Sequence, residues 1–454
     1  MSGHLKRRLT TTQIIAFGFL SAILVGMFFL MLPISSKEGV WTNPVDALFT
    51  ATTSVCVTGL TTVSTAEHWS VFGQVVILVL IQFGGLGIVT FTTFTLLVIG
   101  SRITLKDRLL IRDAYNLDSL NGLVKLTKRV LKGTLIVEGI GALLYMTVFI
   151  SDYGLNGIFY SVFNSVSAFC NAGMDLIGDS SLAVYRDNVI VNSVTVSLII
   201  LGGIGFPVWW DFLAIRKKNR KLTPKSIWNR FELHTKLVLF VTLILLLLGT
   251  VLIFAIEYNN PNTIGKLSGW EKLQASFFQS VTTRTAGFYT IPQENFTDAS
   301  AFVSLILMFI GGSPSGTAGG IKTVTVAMII LTAVAIVRNK QYTEVFGRSI
   351  SSENVRKGIA VIVVSVSMLV FAMGALCIIE QKDFLDTLYE TMSALATVGL
   401  SRGMTGDLSV PGKIVICATM FVGRVGPISL ALLFNINGHH GNNRHYPVAK
   451  VRVG

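Results

Sequence analysis

Eight apolar stretches, each about 20 residues or longer, run through this chain. A helix of about 20 apolar residues is long enough to cross the roughly 30 Å hydrocarbon core of a bilayer. Hydrophobic residues make up 51% of the sequence and charged residues only 13%, a balance that the surface of a water-soluble domain does not allow. The sequence therefore predicts a polytopic membrane protein. The eight predicted spans lie at 12–33, 72–99, 131–151, 189–215, 237–256, 301–337, 358–379 and 412–434.

The basic residues are concentrated in alternate polar segments between these spans. Of the 37 Lys and Arg residues, 27 lie in five segments: the N-terminus, 102–132, 216–236, 338–357 and 444–452. Cytoplasmic loops of membrane proteins carry this excess of positive charge. The pattern predicts that both termini are cytoplasmic, and it explains the net charge of +13 without a nucleic-acid partner.

A short, partly apolar segment follows the first span of each pair, and the four segments can be superimposed. They read FTATTSVCVTGL (49–60), FNSVSAFCNAGM (163–174), FFQSVTTRTAGF (277–288) and YETMSALATVGL (389–400). Each segment opens with an aromatic residue and closes on a glycine. The successive separations of these glycines are 114, 114 and 112 residues. Four matches at nearly constant spacing indicate a fourfold internal repeat.

A second glycine recurs in the span that follows each segment, at Gly84, Gly202, Gly311 and Gly423. We therefore predict an all-α membrane protein with four span–pore-loop–span repeats around a central pseudo-fourfold pore. The predicted divisions are a cytoplasmic N-terminus (1–11), repeats at 12–99, 131–215, 237–337 and 358–434, and a cytoplasmic tail (435–454).

The chemistry of the four segments favours a cation pore. Each segment is too short to cross a bilayer as a helix, so it must enter the membrane and return, and irregular backbone at that depth must line a cavity or be buried in protein. Backbone carbonyls can replace the hydration shell of an ion, and no carboxylate precedes the four glycines, which favours K⁺ over divalent cations. The alternative is that the segments are interfacial packing elements of another polytopic protein.

A polytopic enzyme or a proton-coupled carrier is the rival class. Such proteins carry several ionisable groups within their spans. Here the candidates are few: Glu138, Asp211 and Glu257. The sequence contains no nucleotide-binding fingerprint or catalytic triad, so we expect no enzymatic activity, and we interpret the histidine-containing tail (439–445) as a solvated cytoplasmic end.

The four glycine-ended segments, the glycine-rich 311–323 sequence GGSPSGTAGGIKT and the lone Arg424 of the last span resemble the Trk/Ktr/HKT superfamily of K⁺ uptake proteins. In length and in its cytoplasmic termini the chain most resembles the bacterial KtrB subunits. The resemblance implies a selectivity filter formed by four triplets. They are Val57, Thr58 and Gly59; Asn171, Ala172 and Gly173; Thr285, Ala286 and Gly287; and Thr397, Val398 and Gly399.

The resemblance also implies a gate below the filter, formed by an intramembrane loop (311–323) and Arg424. Its predicted residues are Gly311, Gly312, Ser313, Pro314, Ser315, Gly316, Thr317, Ala318, Gly319, Gly320, Lys322 and Arg424. Two alternatives remain open: the loop could be a kink filled by neighbouring helices, and Arg424 could be a structural tie between spans. Arg284, three residues before Gly287, is expected to brace the filter from behind.

The resemblance implies three partners: a cytosolic nucleotide-binding ring like KtrA that responds to ATP or ADP, a second copy of the chain, and membrane lipid. K⁺ is the expected cargo, bound at the filter carbonyls only, with Na⁺ as a coupling or activating ion. No covalently bound cofactor is expected, and the expected location is the plasma membrane of a bacterium.

Overall fold

The computed structural model describes residues 11–87, 90, 109, 123–178, 180–218 and 223–426. Within these ranges the regular secondary structure is helical except for one sheet, a two-stranded hairpin. In chain order the first seven helices are α1 (Thr11–Met31), α2 (Pro44–Cys56), α3 (Val71–Leu86), α4 (Leu123–Tyr153), α5 (Asn156–Cys170), α6 (Val189–Gly203) and α7 (Phe206–Lys218).

The second half contains eight further helices and the hairpin. Its helices are α8 (Pro224–Arg230), α9 (Leu233–Glu257), α10 (Gly269–Thr282), α11 (Asp298–Phe309), α12 (Thr323–Val337), α13 (Ser352–Glu380), α14 (Phe384–Ala396) and α15 (Val410–Val425). The hairpin between α12 and α13 pairs β1 (Thr343–Val345) with β2 (Arg348–Ile350) antiparallel, with Glu344 opposite Ser349.

The first helix of each predicted repeat is long and apolar enough to cross a membrane. Among the described residues four unbroken helices meet this condition, Thr12–Met31, Val124–Tyr153, Leu233–Glu257 and Ser352–Glu380. Their apolar side chains face outward in large number, as expected of helices surrounded by lipid. Each is followed by a short helix (α2, α5, α10 or α14) that packs against it.

In repeats 2 and 3 the predicted second span is not one helix, because the helix breaks. The predicted span 189–215 consists of α6 and α7, which meet at a bend of 90°. The predicted span 301–337 is α11 and α12, separated by a loop at 310–322. The predicted ends 88–99 and 427–434 lie outside the described residues, apart from Thr90.

A repeated glycine explains three of these helix ends. The sequences GGLG (84–87), GGIG (202–205) and GRVG (423–426) align, and α3, α6 and α15 all end within them. The last glycine of each has a positive φ: 80° at Gly87, 87° at Gly205 and 94° at Gly426. Glycine adopts this conformation without the strain that a Cβ brings, so the three helices end at equivalent positions.

Two carboxylates, one of them buried, tie the first spans of repeats 3 and 4 to their second spans. Glu257, at the end of α9, accepts hydrogen bonds from the N–H and the hydroxyl of Thr297, the N-cap of α11, at 3.0 and 2.7 Å. Glu380, at the end of α13, does the same for Ser409, the N-cap of α15, at 3.0 and 2.6 Å. Each pair fixes one first span to the second span of its own repeat.

Candidate functional site

Each of the four glycine triplets begins at a residue with a positive φ. Val57, Asn171 and Thr397 are the C-caps of α2, α5 and α14, and they have φ values of 55°, 61° and 51°. In the third repeat α10 ends at Thr282, one further turn follows, and Thr285 has φ 69°. Asparagine tolerates the left-handed region, but β-branched residues rarely adopt it. Such strain persists only where the surroundings enforce it, and it is concentrated at functional sites.

The four triplet glycines lie side by side in a closed ring. A Cβ built on Gly59 would lie 3.2 Å from the Cα of Gly173, and one on Gly173 would lie 2.7 Å from the Cα of Gly287. A Cβ on Gly399 would lie 2.9 Å from the Cα of Gly59, and this contact closes the ring. The structure thus brings together four segments that are more than 100 residues apart in sequence.

Carbonyl oxygens occupy the space that a side chain at these glycines would need. A Cβ on Gly59 would lie 2.6 Å from the oxygen of Ala172, one on Gly173 would lie 2.8 Å from that of Ala286, and one on Gly287 would lie 2.7 Å from that of Val398. A Cβ on Gly399 would collide with the oxygen of Thr58. Only glycine fits at the four positions, and the ring is therefore lined by backbone.

Hydroxyl groups from the short helices hold the ring backbone in place, which sequence reasoning had not identified. Thr53 and Ser393, each six residues before a ring glycine, accept hydrogen bonds from the N–H groups of Gly59 and Gly399 at 2.9 and 3.0 Å. Ser167, at the same position in repeat 2, accepts the N–H of Met174 at 3.1 Å. A Ser or Thr six residues before the glycine is the sequence signal for this contact, and the third repeat lacks it, with Val281 there.

A polar cleft of about 320 Å³ opens on one side of the ring. It is lined by the four glycines and by Thr, Ser and acidic side chains, among them Asp175 and Glu294. The ring thus faces an open, oxygen-rich space on this side.

The loop at 310–322 lies against the opposite side of the ring triplets. Its backbone is bonded to the second repeat, with the N–H groups of Ser313 and Thr317 donating to the carbonyls of Gly203 and Gly202 at 2.9 and 3.2 Å. The N–H of Gly319 donates to the hydroxyl of Thr285 at 3.1 Å. The segment is therefore more than a kink in a helix, because its backbone is hydrogen-bonded to the backbone of the second repeat.

Arg424 is the link between this loop and two further repeats. Its Nη1 donates to the carbonyl oxygen of Thr317 at 2.7 Å, and its Nη2 donates to the carbonyl oxygen of Gly84. Arg424 occupies the position that is glycine in the aligned GGLG and GGIG sequences. The arginine thus contacts the loop and also connects the first repeat with the fourth.

Lys322 and Arg284 have different surroundings. The ammonium group of Lys322 donates to the carbonyl oxygens of Ala318 and Gly319 at 2.7 and 3.4 Å. Arg284 is buried, and its Nε has no hydrogen-bond partner within the described part of the chain.

The recurring glycine of the second span packs against the short helix in repeats 1, 2 and 4 and against the loop in repeat 3. At Gly84, Gly202 and Gly423 a Cβ would collide with a carbonyl oxygen in the last turn of the short helix, that of Val55, Phe169 and Leu395 respectively. At Gly311 a Cβ would meet the loop itself, at Gly319 and Gly320. In repeat 3 the loop therefore contacts the glycine that contacts the short helix in the other three repeats.

The acidic residues considered for a carrier are engaged in the fold. Glu138 accepts a hydrogen bond from Gln82 at 3.3 Å, and Asp211 accepts the N–H of Glu232 at 2.9 Å. Glu257 is the helix tie described above. Among the described residues no group of three or more His, Cys, Asp or Glu side chains is placed to hold a metal ion, and the histidines of the tail lie outside those residues.

Comparison of the sequence with known proteins places the chain in a family. The family model described as "TrkH: Cation transport protein" matches residues 9–446. The chain is 40% identical to the Ktr system potassium uptake protein B of Bacillus subtilis, with 98% of this chain and 97% of that protein covered. It is 39% identical to the potassium/sodium uptake protein NtpJ of Enterococcus hirae, with 100% and 99% covered.

A solved structure has the same fold. The potassium transporter TrkH from Vibrio parahaemolyticus superimposes with a TM-score of 0.71 at 18% sequence identity, covering 96% of this chain and 86% of that one. At this identity the likeness concerns the fold alone. The relatives of higher identity and the family match over nearly the whole chain decide the assignment: the chain belongs to the TrkH family of cation transport proteins, which are membrane transporters and not enzymes.

Proposed function

We propose that this chain is the K⁺-conducting transmembrane subunit of a bacterial K⁺ uptake system. The observation that carries the proposal is the closed ring of four glycines, in which carbonyl oxygens fill the space around the axis. Such carbonyls can substitute for the hydration shell of K⁺. The names of the relatives, potassium uptake protein B and potassium/sodium uptake protein, point to the same cargo.

The four triplets form the selectivity filter of a pseudo-fourfold pore. Each short helix ends at the ring, so the partial negative charge of its C-terminus favours a cation there. The ring itself carries no carboxylate, so the field at the axis comes from dipoles, which suits a monovalent ion. The resemblance to the Trk/Ktr/HKT superfamily implies that glycine at position 59 favours K⁺ over Na⁺.

The loop at 310–322 and Arg424 form the gate. The loop lies on the side of the triplets opposite the polar cleft, and its bonds to Gly202, Gly203 and Thr285 support a closed position. A guanidinium group near the axis also repels K⁺, by a few kcal/mol at about 4 Å if the effective dielectric constant is near 20. Opening therefore requires that the loop move away and that Arg424 release the Thr317 carbonyl.

Regulation comes from a separate cytosolic nucleotide-binding ring, and the chain works as a homodimer. With both termini in the cytoplasm, the basic segments between repeats face that partner. The chain carries no nucleotide-binding motif of its own. Na⁺ acts as a coupling or activating ion, in line with the name of the Enterococcus hirae relative.

Uptake of ⁸⁶Rb⁺ into liposomes that contain the purified chain tests the proposal. We expect uptake that unlabelled K⁺ abolishes at lower concentration than Na⁺ does. Serine variants of the ring glycines extend the test, and their matched control is Gly39→Ser. Gly39 has a positive φ of 70°, as the ring glycines do, but no atom lies within 4 Å of a Cβ built on it. Uptake that is absent, or that K⁺ and Na⁺ inhibit equally, would contradict the proposal.

A further inference from the structure

The third filter triplet (285–287) is held differently from the other three. Repeats 1, 2 and 4 use a Ser or Thr hydroxyl six residues before the ring glycine as the acceptor for a backbone N–H, and Val281 occupies that position in repeat 3. In repeat 3 the neighbouring Thr282 instead donates its hydroxyl to the carbonyl oxygen of Phe288. The short helix thus holds the backbone after this triplet through a carbonyl oxygen and not through an N–H.

A pair of buried glutamine side chains forms a second support for this triplet. Gln279 lies in α10, eight residues before Gly287, and Gln293 lies six residues after it. The Nε2 of Gln279 donates to the Oε1 of Gln293 at 2.6 Å, and the Nε2 of Gln293 donates to the Oε1 of Gln279 at 3.1 Å. The two residues are 0% and 2% exposed. The segment that leaves the triplet is thus bonded back to the helix that leads into it.

Tyr389, in α14 of repeat 4, joins this pair across the boundary between repeats. Its hydroxyl donates to the Oε1 of Gln293 at 3.0 Å, and the Nε2 of Gln293 also donates to the carbonyl oxygen of Ile291 at 2.6 Å. The Gln293 amide, with two acceptor lone pairs and two N–H donors, therefore makes every hydrogen bond that it can make. Tyr389 is fully buried as well. A buried polar network in which each group has its partner fixes the positions of its members.

The side chains of this network do not recur in the fourfold repeat. The position of Tyr389 is occupied by phenylalanine in the other three repeats, so packing alone does not account for tyrosine in repeat 4. These residues are Phe49, Phe163 and Phe277. Gln279 is unmatched as well. The residues aligned with it are Ala51, Ser165 and Thr391. The network is thus a specific link between repeats 3 and 4.

Repeat 4 has a support at the corresponding place that remains within the repeat. Thr405, six residues after Gly399, donates its hydroxyl to the carboxylate of Glu390 in α14, and Ser401 donates to the same carboxylate at 2.7 Å. In both repeats the sixth residue after the ring glycine is therefore bonded to the short helix. In repeat 3 this support also receives a hydrogen bond from repeat 4, so a movement of α14 acts on the third triplet.

The position of the third triplet affects the spacing of the ring. The oxygen of Ala286 would lie 2.8 Å from a Cβ on Gly173, and the oxygen of Val398 would lie 2.7 Å from a Cβ on Gly287. Repeats 2 and 4 therefore both pack against this triplet, and a shift of it changes the distances between their carbonyls. Ion selectivity depends on the size of the carbonyl cage and on the number of carbonyls that reach the ion, and such a shift changes both.

We propose that Gln279, Gln293 and Tyr389 are positioning residues for the selectivity filter, and that they hold the third triplet at the distance that K⁺ requires. None of them belongs to the ring, so they act on the ion only through the backbone of the triplet. This inference rests on the proposed function, because it concerns the discrimination between ions in the conduction path. It assigns part of the selectivity to a contact between two repeats that lies outside the triplets.

Tyr389→Phe is the deciding substitution, because it removes one hydroxyl and leaves the aromatic ring that the other repeats have. The preference for K⁺ over Na⁺, measured by competition with ⁸⁶Rb⁺ uptake in proteoliposomes, should fall about two- to tenfold, the effect of one lost hydrogen bond. Gln293→Leu removes the amide on which the network depends, and it should reduce the preference by about tenfold or more. Uptake of ⁸⁶Rb⁺ itself should persist in both variants.

The matched controls are Tyr185→Phe and Gln74→Leu. The hydroxyl of Tyr185 donates to the carboxylate of Asp152 at 2.7 Å, and the amide of Gln74 donates to the carbonyl oxygen of Trp69 at 3.0 Å. Both side chains are buried, so each control removes a buried hydrogen bond outside the network. The controls should lower the thermal unfolding midpoint about as much as the network variants do and leave the ion preference unchanged. Controls that reduce the preference equally would overturn the inference, because lost stability alone would then explain the effect.

A double substitution tests whether Tyr389 acts through Gln293. In a Gln293→Leu background the acceptor of the tyrosine hydroxyl is already lost, so Tyr389→Phe should not reduce the preference further. Independent reductions that multiply in the double variant would overturn the network as their common cause.

The wild type keeps the inference separate from the proposed function. Absence of ⁸⁶Rb⁺ uptake by the wild type, or uptake without a preference for K⁺, would count against the proposed function. K⁺-selective uptake by the wild type together with an unchanged preference in Tyr389→Phe would overturn the positioning role and leave the function intact. If Gln293→Leu does not fold, the comparison of Tyr389→Phe with Tyr185→Phe decides the question alone.

Discussion

At the scale of single residues, the ring glycines keep the space around the neighbouring carbonyls free of side chains. A side chain at any of them would meet a neighbouring carbonyl, as at Gly59, where a Cβ would lie 2.6 Å from the oxygen of Ala172. Such a contact must displace the carbonyl or the strand that carries it. Displaced carbonyls would no longer surround a K⁺ ion evenly, and a smaller ion with its water could then compete.

We predict that Gly59→Ser reduces the preference for K⁺ over Na⁺ by about tenfold or more, equal to about 1.4 kcal/mol of discrimination. Serine at Gly173, Gly287 or Gly399 should have a similar effect, because the four positions form one ring. The measurement is ⁸⁶Rb⁺ flux against competing K⁺ and Na⁺, with Gly39→Ser as the matched control. Wild-type discrimination in all four ring variants would show that the filter is elsewhere.

Much of this residue-scale geometry could be predicted from the sequence, because the repeat aligns the four glycines without any structural knowledge. The surroundings of the ring could not. The support of Gly59 by Thr53 depends on a hydroxyl six residues away, and the Ser or Thr that recurs at this position in three repeats is hard to recognise among the many other Ser and Thr residues of the segments. The burial of Arg284 was not evident either, because packing around one side chain depends on several distant elements.

At the scale of elements, a hydrogen bond from Arg424 connects α15 with the loop at 310–322. The sequence predicted the loop, because Pro314 and five glycines cannot hold a helix, and it placed Arg424 at the matching depth. It could not predict the acceptors, the carbonyls of Thr317 and Gly84, since backbone carbonyls look alike in a sequence. The bend between α6 and α7 was likewise missed, because an apolar stretch can continue through a change of direction.

We predict that Arg424→Ala raises K⁺ flux by about tenfold and weakens its dependence on the regulatory partner. The substitution removes a positive charge worth a few kcal/mol of repulsion at about 4 Å and frees the Thr317 carbonyl. Removing Ser313 to Gly319 should also raise K⁺ flux, because the loop that would close the pore is then shortened. Flux in proteoliposomes is the measurement.

The expression level and dimer content of these variants serve as the control for folding. A structural tie alone would predict that Arg424→Ala lowers both, because the link from the fourth repeat to Gly84 is lost. Folded variants with unchanged flux and regulation would remove the gate and leave the pore proposal standing.

The helix ties provide a prediction about stability. Glu257 is fully buried and accepts four hydrogen bonds of 2.6 to 3.0 Å, from Asn260, Thr263 and Thr297. In Glu257→Gln an amide NH₂ would face donors, so we expect the protein to lose about 1–3 kcal/mol of stability. Thermal unfolding in detergent is the measurement, and Glu38→Gln, at an exposed carboxylate, is the matched control. Equal midpoints for both variants would contradict a role for Glu257 as a tie.

At the scale of the whole molecule, the order of long and short helices could be read from the sequence, and the positions of the breaks could not. The four first spans agree with long unbroken helices because apolar length alone decides whether a helix can cross a membrane. Helices α3, α6 and α15 end in the glycine motifs that close on Gly87, Gly205 and Gly426, where a positive φ lets the chain turn, and hydropathy does not register this. The match with the TrkH fold over 96% of the chain follows from this shared order of elements.

The proposed regulatory partner also concerns the whole molecule, because the sequence contains no nucleotide-binding motif. Its sequence lacks a phosphate-binding motif, and its basic residues are gathered in segments between the repeats, where an acidic protein surface could bind them. We predict that ATP and ADP change the K⁺ flux of the reconstituted chain only after the cytosolic ring protein is added. The nucleotide effect should weaken as ionic strength rises, because salt screens the contacts that hold the two proteins together. Flux measured with and without the ring protein, at two salt concentrations, tests both statements. A saturable response of the isolated chain to ATP would place the nucleotide site within this polypeptide. It would overturn the proposal that a separate protein binds the nucleotide.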